Sequence, residues 1–239
     1  MGDFDEAHHL FQEVLGTADD RHEQAFALRF LGKILSYQES KSSAETYILK
    51  SLALSREIGD LNGVVECLRY LAWQSTNFGK SLEGKQMAEE SLAISRWLGR
   101  PDWIAVSLHD LAWCVNCLGA YAESEAYWRE SLALSEEIDN QEGIARALNF
   151  IGWAAWCAGG ARLREAKTYY KRAIAIYRQL GCRGYLAMSL ADLSLTYLDW
   201  GDYERARQCA REGLAITQET GNLDIMAYAL YGLGAALCG

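Results

Sequence analysis

The sequence predicts an all-α fold, a right-handed superhelical solenoid of antiparallel helix pairs. Three observations carry this reading. The phrase Ser91-Leu92-Ala93-Ile94-Ser95 recurs forty residues later as Ser131-Leu132-Ala133-Leu134-Ser135, and it stands forty residues earlier as Ser51-Leu52-Ala53-Leu54-Ser55. A fixed period of this length marks a helical repeat array. Within each period, apolar residues recur at steps of three and four, the spacing of one helical face. Glycines fall at equivalent places, Gly79, Gly119 and Gly201, where a left-handed residue can end a helix.

The elements follow in order. Residues 3–16 read as a lone second helix, with Phe4, Ala7, Phe11, Val14 and Leu15 on its apolar side. Five full repeats come next, at 21–60, 61–100, 101–140, 141–182 and 183–222, each a pair of helices. In the third, Ile104, Leu108, Leu111, Ala112 and Val115 form the first apolar stripe. A turn follows at Gly119-Ala120-Tyr121. The second helix carries Ala126, Trp128, Leu132, Leu134 and Ile138, and it stops at Asp139-Asn140. The same register sets Leu71-Ala72-Trp73 beside Leu111-Ala112-Trp113 and Ile151-Gly152-Trp153. Small residues at Ala72, Ala112, Gly152 and Ser194 let two helices approach closely. The fourth repeat is two residues longer, and the loop at Gly159-Gly160-Ala161 is placed to absorb them. Residues 223–239 read as a lone first helix, with Ile225, Ala229, Leu230, Leu233 and Leu237. The chain is expected to be one domain over 1–239, with half a repeat at each end. Solenoids need polar-faced ends, and neither end here has one. The expectation is a piece of a longer protein, or ends covered by another copy.

Composition narrows the function. Half the residues are apolar and the net charge is -9. Binding phosphate backbones needs a positive footprint, so a direct nucleic-acid role is not expected. No apolar run reaches the roughly 20 residues that span a bilayer. The start, Met1-Gly2-Asp3-Phe4-Asp5, lacks the basic and apolar regions of a signal peptide. Seven cysteines form no small-domain disulfide pattern, and they read as buried free thiols in a reducing cytosol. Cys114-x-x-Cys117 is the one such pair and has no second pair to complete a zinc site. Phosphate-loop, His-Glu-x-x-His and Gly-x-Ser-x-Gly signatures are absent. No enzymatic activity and no cofactor are expected. Trp97 and Trp103, on either side of Gly99-Arg100-Pro101, are expected to pack that turn, with an exposed contact patch as the alternative. Glu136-Glu137 and Glu204-Arg205 read as solvated faces of second helices.

The residues at this point resemble a known family. Leu111-Ala112 with Gly119-x-Tyr121, and Leu193, Tyr197, Gly201-Asp202-Tyr203 and Ala206, look like the tetratricopeptide repeat. Two departures stand out. The period is 40 rather than about 34, and the proline that closes each repeat is missing. Phrases such as Ile216-Thr217-Gln218-Glu219-Thr220-Gly221-Asn222 lengthen the second helix instead. This longer form resembles the repeat regions of MalT-like regulators and of signal-transduction ATPases with numerous domains. The resemblance implies a sensor or interaction module, with ATPase and output domains elsewhere in the chain. A stand-alone peptide-binding scaffold is the alternative.

In tetratricopeptide arrays the first helices line the inner groove. Carrying the inward positions over by register gives Arg69, Trp73 and Asn77 in the second repeat. It gives His109, Trp113 and Asn116 in the third, and Arg146, Asn149, Trp153 and Trp156 in the fourth. The first repeat contributes Arg29, Lys33 and Tyr37, and the last helix Tyr228 and Tyr231. The expected partner is a protein, a peptide or a small effector held in that groove. Indole faces bury large area and accept cations, while Arg and Asn fix orientation. Two readings stay open for the tryptophans: a ligand surface, or packing between adjacent first helices. Arg and Asn on the same face favour the surface.

Overall fold

A computed structural model describes residues 2–37, 41–220 and 223–238. The side chains of Phe4, Ala7 and Tyr37 and the pair Gly221-Asn222 lie outside what is described. Twelve helices make up the described residues, with no strand among them. They are α1 Gly2–Thr17, α2 Arg21–Tyr37, α3 Lys41–Ile58, α4 Leu61–Asn77, α5 Ser81–Trp97 and α6 Pro101–Cys117, then α7 Tyr121–Glu137, α8 Gln141–Ala158, α9 Leu163–Leu180, α10 Arg183–Asp199, α11 Tyr203–Thr220 and α12 Leu223–Cys238. Each predicted repeat is one helix pair, from α2–α3 to α10–α11, and the predicted half repeats are α1 and α12. Among the described residues no helix is long and apolar enough to cross a membrane.

The chain divides into two compact units, Met1–Ala120 and Tyr121–Gly239. In the first, each helix packs on the next from α1 to α6, and the first helices also touch one another, α2 on α4 and α4 on α6. Its core joins Ile48 and Leu52 of α3 to Val64, Leu68 and Leu71 of α4. The α1 helix is held by Phe11, whose ring stacks on Phe30 at 5.2 Å. In the second unit, α7 to α12 pack in the same succession, with α10 also against α12. Its core centres on Tyr170, Tyr177, Leu148, Leu190 and Leu193.

The turns follow the sequence. Gly79, Gly119 and Gly201 have φ of 79°, 85° and 80°, a region where a side chain is costly. The extra residues of the fourth repeat form a single 3-10 turn, Gly160–Arg162. Arg162 ties that turn back to α7 through two hydrogen bonds to Glu125, at 2.7 and 2.9 Å. Between repeats, Asp60 and Asn140 cap α4 and α8 by accepting from the backbone N–H of Gly63 and Gly143. Asp139 holds φ 53° where the other repeats place Gly59, Gly99 and Gly181.

The repeated serines explain the period. Ser51, Ser55, Ser91, Ser95, Ser131 and Ser135 are all buried. They lie where a second helix meets the first helix of the following repeat. Ser91 Oγ lies 2.9 Å from Ser107 Oγ, and Ser95 Oγ lies 3.1 Å from it. Ser51 Oγ lies 3.5 Å from Cys67 Sγ of the following repeat and donates back to the Ala25 carbonyl of its own repeat at 2.7 Å. A Cβ on Gly63 would come within 2.6 Å of Ser55 Oγ, and one on Gly143 equally close to Ser135 Oγ. Small residues face each other across these joints because two backbones run close together.

Two expectations need correction. Trp97 is 76% exposed and does not pack the turn it precedes. Trp103 is half-buried, with the Arg100 guanidinium 4.5 Å from its ring. The described thiols are free but not all buried: Cys117 and Cys157, in the last turns of first helices, are exposed, and Cys238 lies outside the described side chains.

Two predictions follow from the joints and the turns. Ser91→Leu forces an extra branched side chain against Ser107, and urea melts should show a loss of about 1–3 kcal/mol. Asp139→Gly removes a side chain from a left-handed residue, and the same melts should show a gain of roughly 0.5 kcal/mol or more.

Candidate functional site

The candidate residues sit on first helices, and each unit carries its own set. In the first unit, Arg69, Trp73 and Asn77 recur every four residues along α4, so they share one face. Arg69 Nε donates to Asp110 Oδ2 of α6 at 2.6 Å. Trp113 Nε1 donates to Asn77 Oδ1 at 3.3 Å. Lys33 Nζ donates to Glu66 Oε2 at 2.8 Å, with Arg29 Nε 3.2 Å from the same oxygen. Burial alone would raise the Glu66 carboxyl. The Lys33 hydrogen bond and the Arg29 and Arg69 charges outweigh it and hold the carboxyl below its usual range. Trp73 stands 54% exposed among these tied groups. His109 and Asn116 are buried in α6.

In the second unit, α8 presents Arg146, Asn149, Trp153 and Trp156. Trp153 and Trp156 are half-buried against the core, and Trp153 meets the fully buried Trp128 edge-on at 6.5 Å. Trp156 Nε1 donates to Asp199 Oδ2 of α10 at 2.6 Å. Arg146 is half-buried on the same helix. Asn149 is buried and is used twice: its Nδ2 donates to Asp192 Oδ2 at 3.3 Å, and its Oδ1 accepts from Ser189 Oγ at 2.6 Å.

Arg69–Asp110 and Asn149–Asp192 are one link in two copies. The donors occupy the ninth place of their repeats and the acceptors the tenth place of the next. The sequence reading found the donors and missed Asp110, Asp192, Asp199 and Ser189, which hold them. An acid at the tenth place after a donor at the ninth was the available signal.

Asp192 is the unusual group. It is 7% exposed, and it receives hydrogen bonds from Asn149 and from Tyr228 of α12. Burial pushes its carboxyl up to about 7, against the opposing pull of both hydrogen bonds. No ion pair reaches it among the described residues. Burial also pushes the Tyr170 hydroxyl up, and the Asp192 charge adds to that. Cys114 and Cys117 part company: Cys114 is buried and accepts from Thr76 Oγ1 at 3.1 Å, whereas Cys117 faces solvent. Among the described residues no three His, Cys, Asp or Glu side chains gather as a metal ion would need.

The raised Asp192 carboxyl has a stability consequence. The folded chain binds this proton more tightly than the unfolded chain does. Stability therefore falls as pH rises from about 4 to about 7, and the loss is complete above that. The expected loss is about 4 kcal/mol. Asp192→Asn should flatten this part of the profile and raise the melting temperature at pH 8, measured by circular dichroism at several pH values.

With the geometry in hand, comparisons place the chain. The tetratricopeptide repeat family profile matches residues 116–179 and 161–219. No curated protein matches the chain in sequence. Among solved structures, a Rap protein complexed with Competence and Sporulation Factor superposes with a TM-score of 0.72 at 17% identity, over 98% of this chain and 69% of that one. A signal transduction ATPase with numerous domains from Pyrococcus horikoshii, which has a tetratricopeptide repeat sensor, gives 0.71 at 18% identity. That match covers 98% of this chain but 36% of the other. NprR in complex with its cognate peptide NprX gives 0.71 at 15% identity, over 87% of this chain and 61% of that one. At these identities the likeness shows the fold alone. The tetratricopeptide repeat profile spans residues 116–219, and helix pairs at the same spacing make up the repeats before them.

Proposed function

We propose that the first-helix faces recognise a peptide or an extended protein segment, and that the role is binding rather than chemistry. The observation that carries this is the exposed Trp73 indole, set among polar groups already fixed by links between repeats. Arg69 is held by Asp110 and Asn77 by Trp113. Side chains fixed in advance lose little freedom on binding, and an exposed indole is the kind of anchor that dominates interfaces. The second unit offers a matching face, with Trp153 and Trp156 half-buried and Tyr231 of α12 67% exposed. NprR, similar in fold, is described with its cognate peptide, which supports a peptide as occupant.

A finer role extends this reading. We infer that the array serves as the sensor or interaction region of a multidomain signalling ATPase or transcription regulator. The likeness to the ATPase with a tetratricopeptide repeat sensor supports it. Occupation of the face would shift the larger protein only through different affinity for its two states. The flanking reading frame separates this role from a scaffold without a switch: an upstream phosphate loop supports the sensor, and stop codons close on both sides support the scaffold. A second copy is a further occupant to test, since Leu10 of α1 and Leu230 and Leu237 of α12 expose apolar surface.

Selection from a displayed random peptide library tests the recognition surface. Trp73→Ala should weaken the selected peptides by about 2 kcal/mol or more, while stability changes little because the ring is exposed. Leu111→Ala, at a buried core position, should instead cost about 2–5 kcal/mol of stability. Selected peptides that bind the Trp73→Ala variant and the parent equally would place recognition elsewhere.

A further inference from the structure

A second candidate site lies on the other side of the second unit, away from the first-helix face. Both α9 and α11 pack on α10, and their own backbones stay apart. They leave a cleft of about 450 Å³ between them. That size falls within the about 300–1,000 Å³ of small-molecule sites. Its floor is Ile174, Leu190 and Leu193, with Tyr197 at one end. The Tyr197 ring lies between two cations: Lys171 Nζ is 6.0 Å from its centre and the Arg205 guanidinium 5.8 Å. Lys171 is paired with no carboxylate among the described residues, and Arg205 has only the partly exposed Asp202, just before α11, at 3.2 Å. At the far end Arg178 meets Glu212 across the cleft at 2.6 Å and neutralises that end.

The other repeats provide an internal control. The third residue of each second helix after α3 is Glu83, Glu123 and Glu165, and then Arg205. The residue matching Tyr197 is Ser75, Val115 and Ala155 in the repeats before it. The residue matching Lys171 is Arg129, but Arg129 is paired with Glu125 at 2.7 Å. So the last full repeat alone replaces an acidic rim with a basic one and adds a ring between its cations. This happens in a chain of net charge -9, where two cations over an apolar floor, with Asp202 against Arg205 as their one ion pair among the described residues, are out of keeping with the bulk surface.

We propose that this cleft binds a small anionic amphiphile, a single carboxylate head seated between Lys171 and Arg205 with an aliphatic body along Ile174, Leu190 and Leu193. Charge complementarity fixes the head. The apolar floor fixes the tail. The limited volume favours a small molecule over a helix.

Decanoate, used well below its micelle concentration, is the probe. Decyltrimethylammonium and acetate are the controls, one with the opposite head and one without the tail. Cys209 lines the cleft and is partly exposed, so its alkylation, followed by peptide mass mapping, reports occupancy. Titration calorimetry reports affinity. Decanoate should bind and slow Cys209 alkylation, while decyltrimethylammonium and acetate do neither at equal concentration. Arg205→Glu installs the residue type that the equivalent places of other repeats already carry, so the fold should melt as before. Decanoate affinity should fall by roughly tenfold or more, as loss of a charge-assisted contact implies. Equal binding of decanoate and decyltrimethylammonium would overturn the proposal, showing apolar adsorption without a head-group site. So would an unchanged affinity in Arg205→Glu with a normal melt. Protection of Cys209 by an acidic peptide but not by decanoate would equally overturn it, in favour of a protein partner on this face.

Discussion

Two backbones running close together at the serine-bearing joints between repeats are the constraint on which the rest of the structure depends. There the second helix meets the following first helix through serine and glycine beside the apolar core, whereas the joint between α9 and α10 stacks Tyr177 on Tyr185. The burial of Ser51, Ser91 and Ser131 and the crowding around Gly63 and Gly143 express one fact. Some of these hydroxyls find partners locally, as Ser95 Oγ does on the Ser91 carbonyl at 2.8 Å. Ser55 Oγ and Ser135 Oγ are buried without a hydrogen-bond partner among the described residues, a cost that the close approach to Gly63 and Gly143 imposes. The close joint then fixes the depth at which each first helix sits, and so which residues at its exposed edge reach the next repeat.

Those reaching residues turn the candidate face into a linked row. Arg69 to Asp110 and Asn149 to Asp192 are the same bond at two places. Trp113 to Asn77 and Trp156 to Asp199 add indole donors. The two open readings of the tryptophans therefore divide by residue. Trp153 and Trp156 have one side in the core and one toward the face. Trp73 presents its ring. Polar side chains here both join repeats and leave a patterned surface between them.

Much of this was legible in the sequence. The recurring serine phrase gave the period, and the stripes around Leu71, Leu111, Ile151 and Leu193 placed every helix pair. The turn glycines marked helix ends because backbone geometry there is local. What lay hidden depended on packing across a repeat. Asp110, Asp192 and Asp199 look like ordinary helical acids until the joint brings them beside a donor some forty residues away. The exposure of Trp97 was hidden for the same reason, since which side of α5 faces out is set by neighbours and not by the turn beside it. The basic cleft escaped notice because Lys171, Tyr197 and Arg205 sit on three helices and meet only once those helices pack on α10.

The outer ion pairs carry a further consequence. Arg56 to Glu90 and Arg178 to Glu212 both span 34 positions, and Arg21 to Glu57 and Arg183 to Glu219 both span 36. Exposed pairs of this kind contribute little stability singly, about 0–1 kcal/mol. Their regular offset matters for ancestry. The pairs that span 36 positions join the two helices of one repeat, α2 to α3 and α10 to α11, so a helix pair copied within the gene carries that clasp with it. The pairs that span 34 positions join second helices of successive repeats, α3 to α5 and α9 to α11, so they close only where the neighbouring repeat supplies the opposite charge.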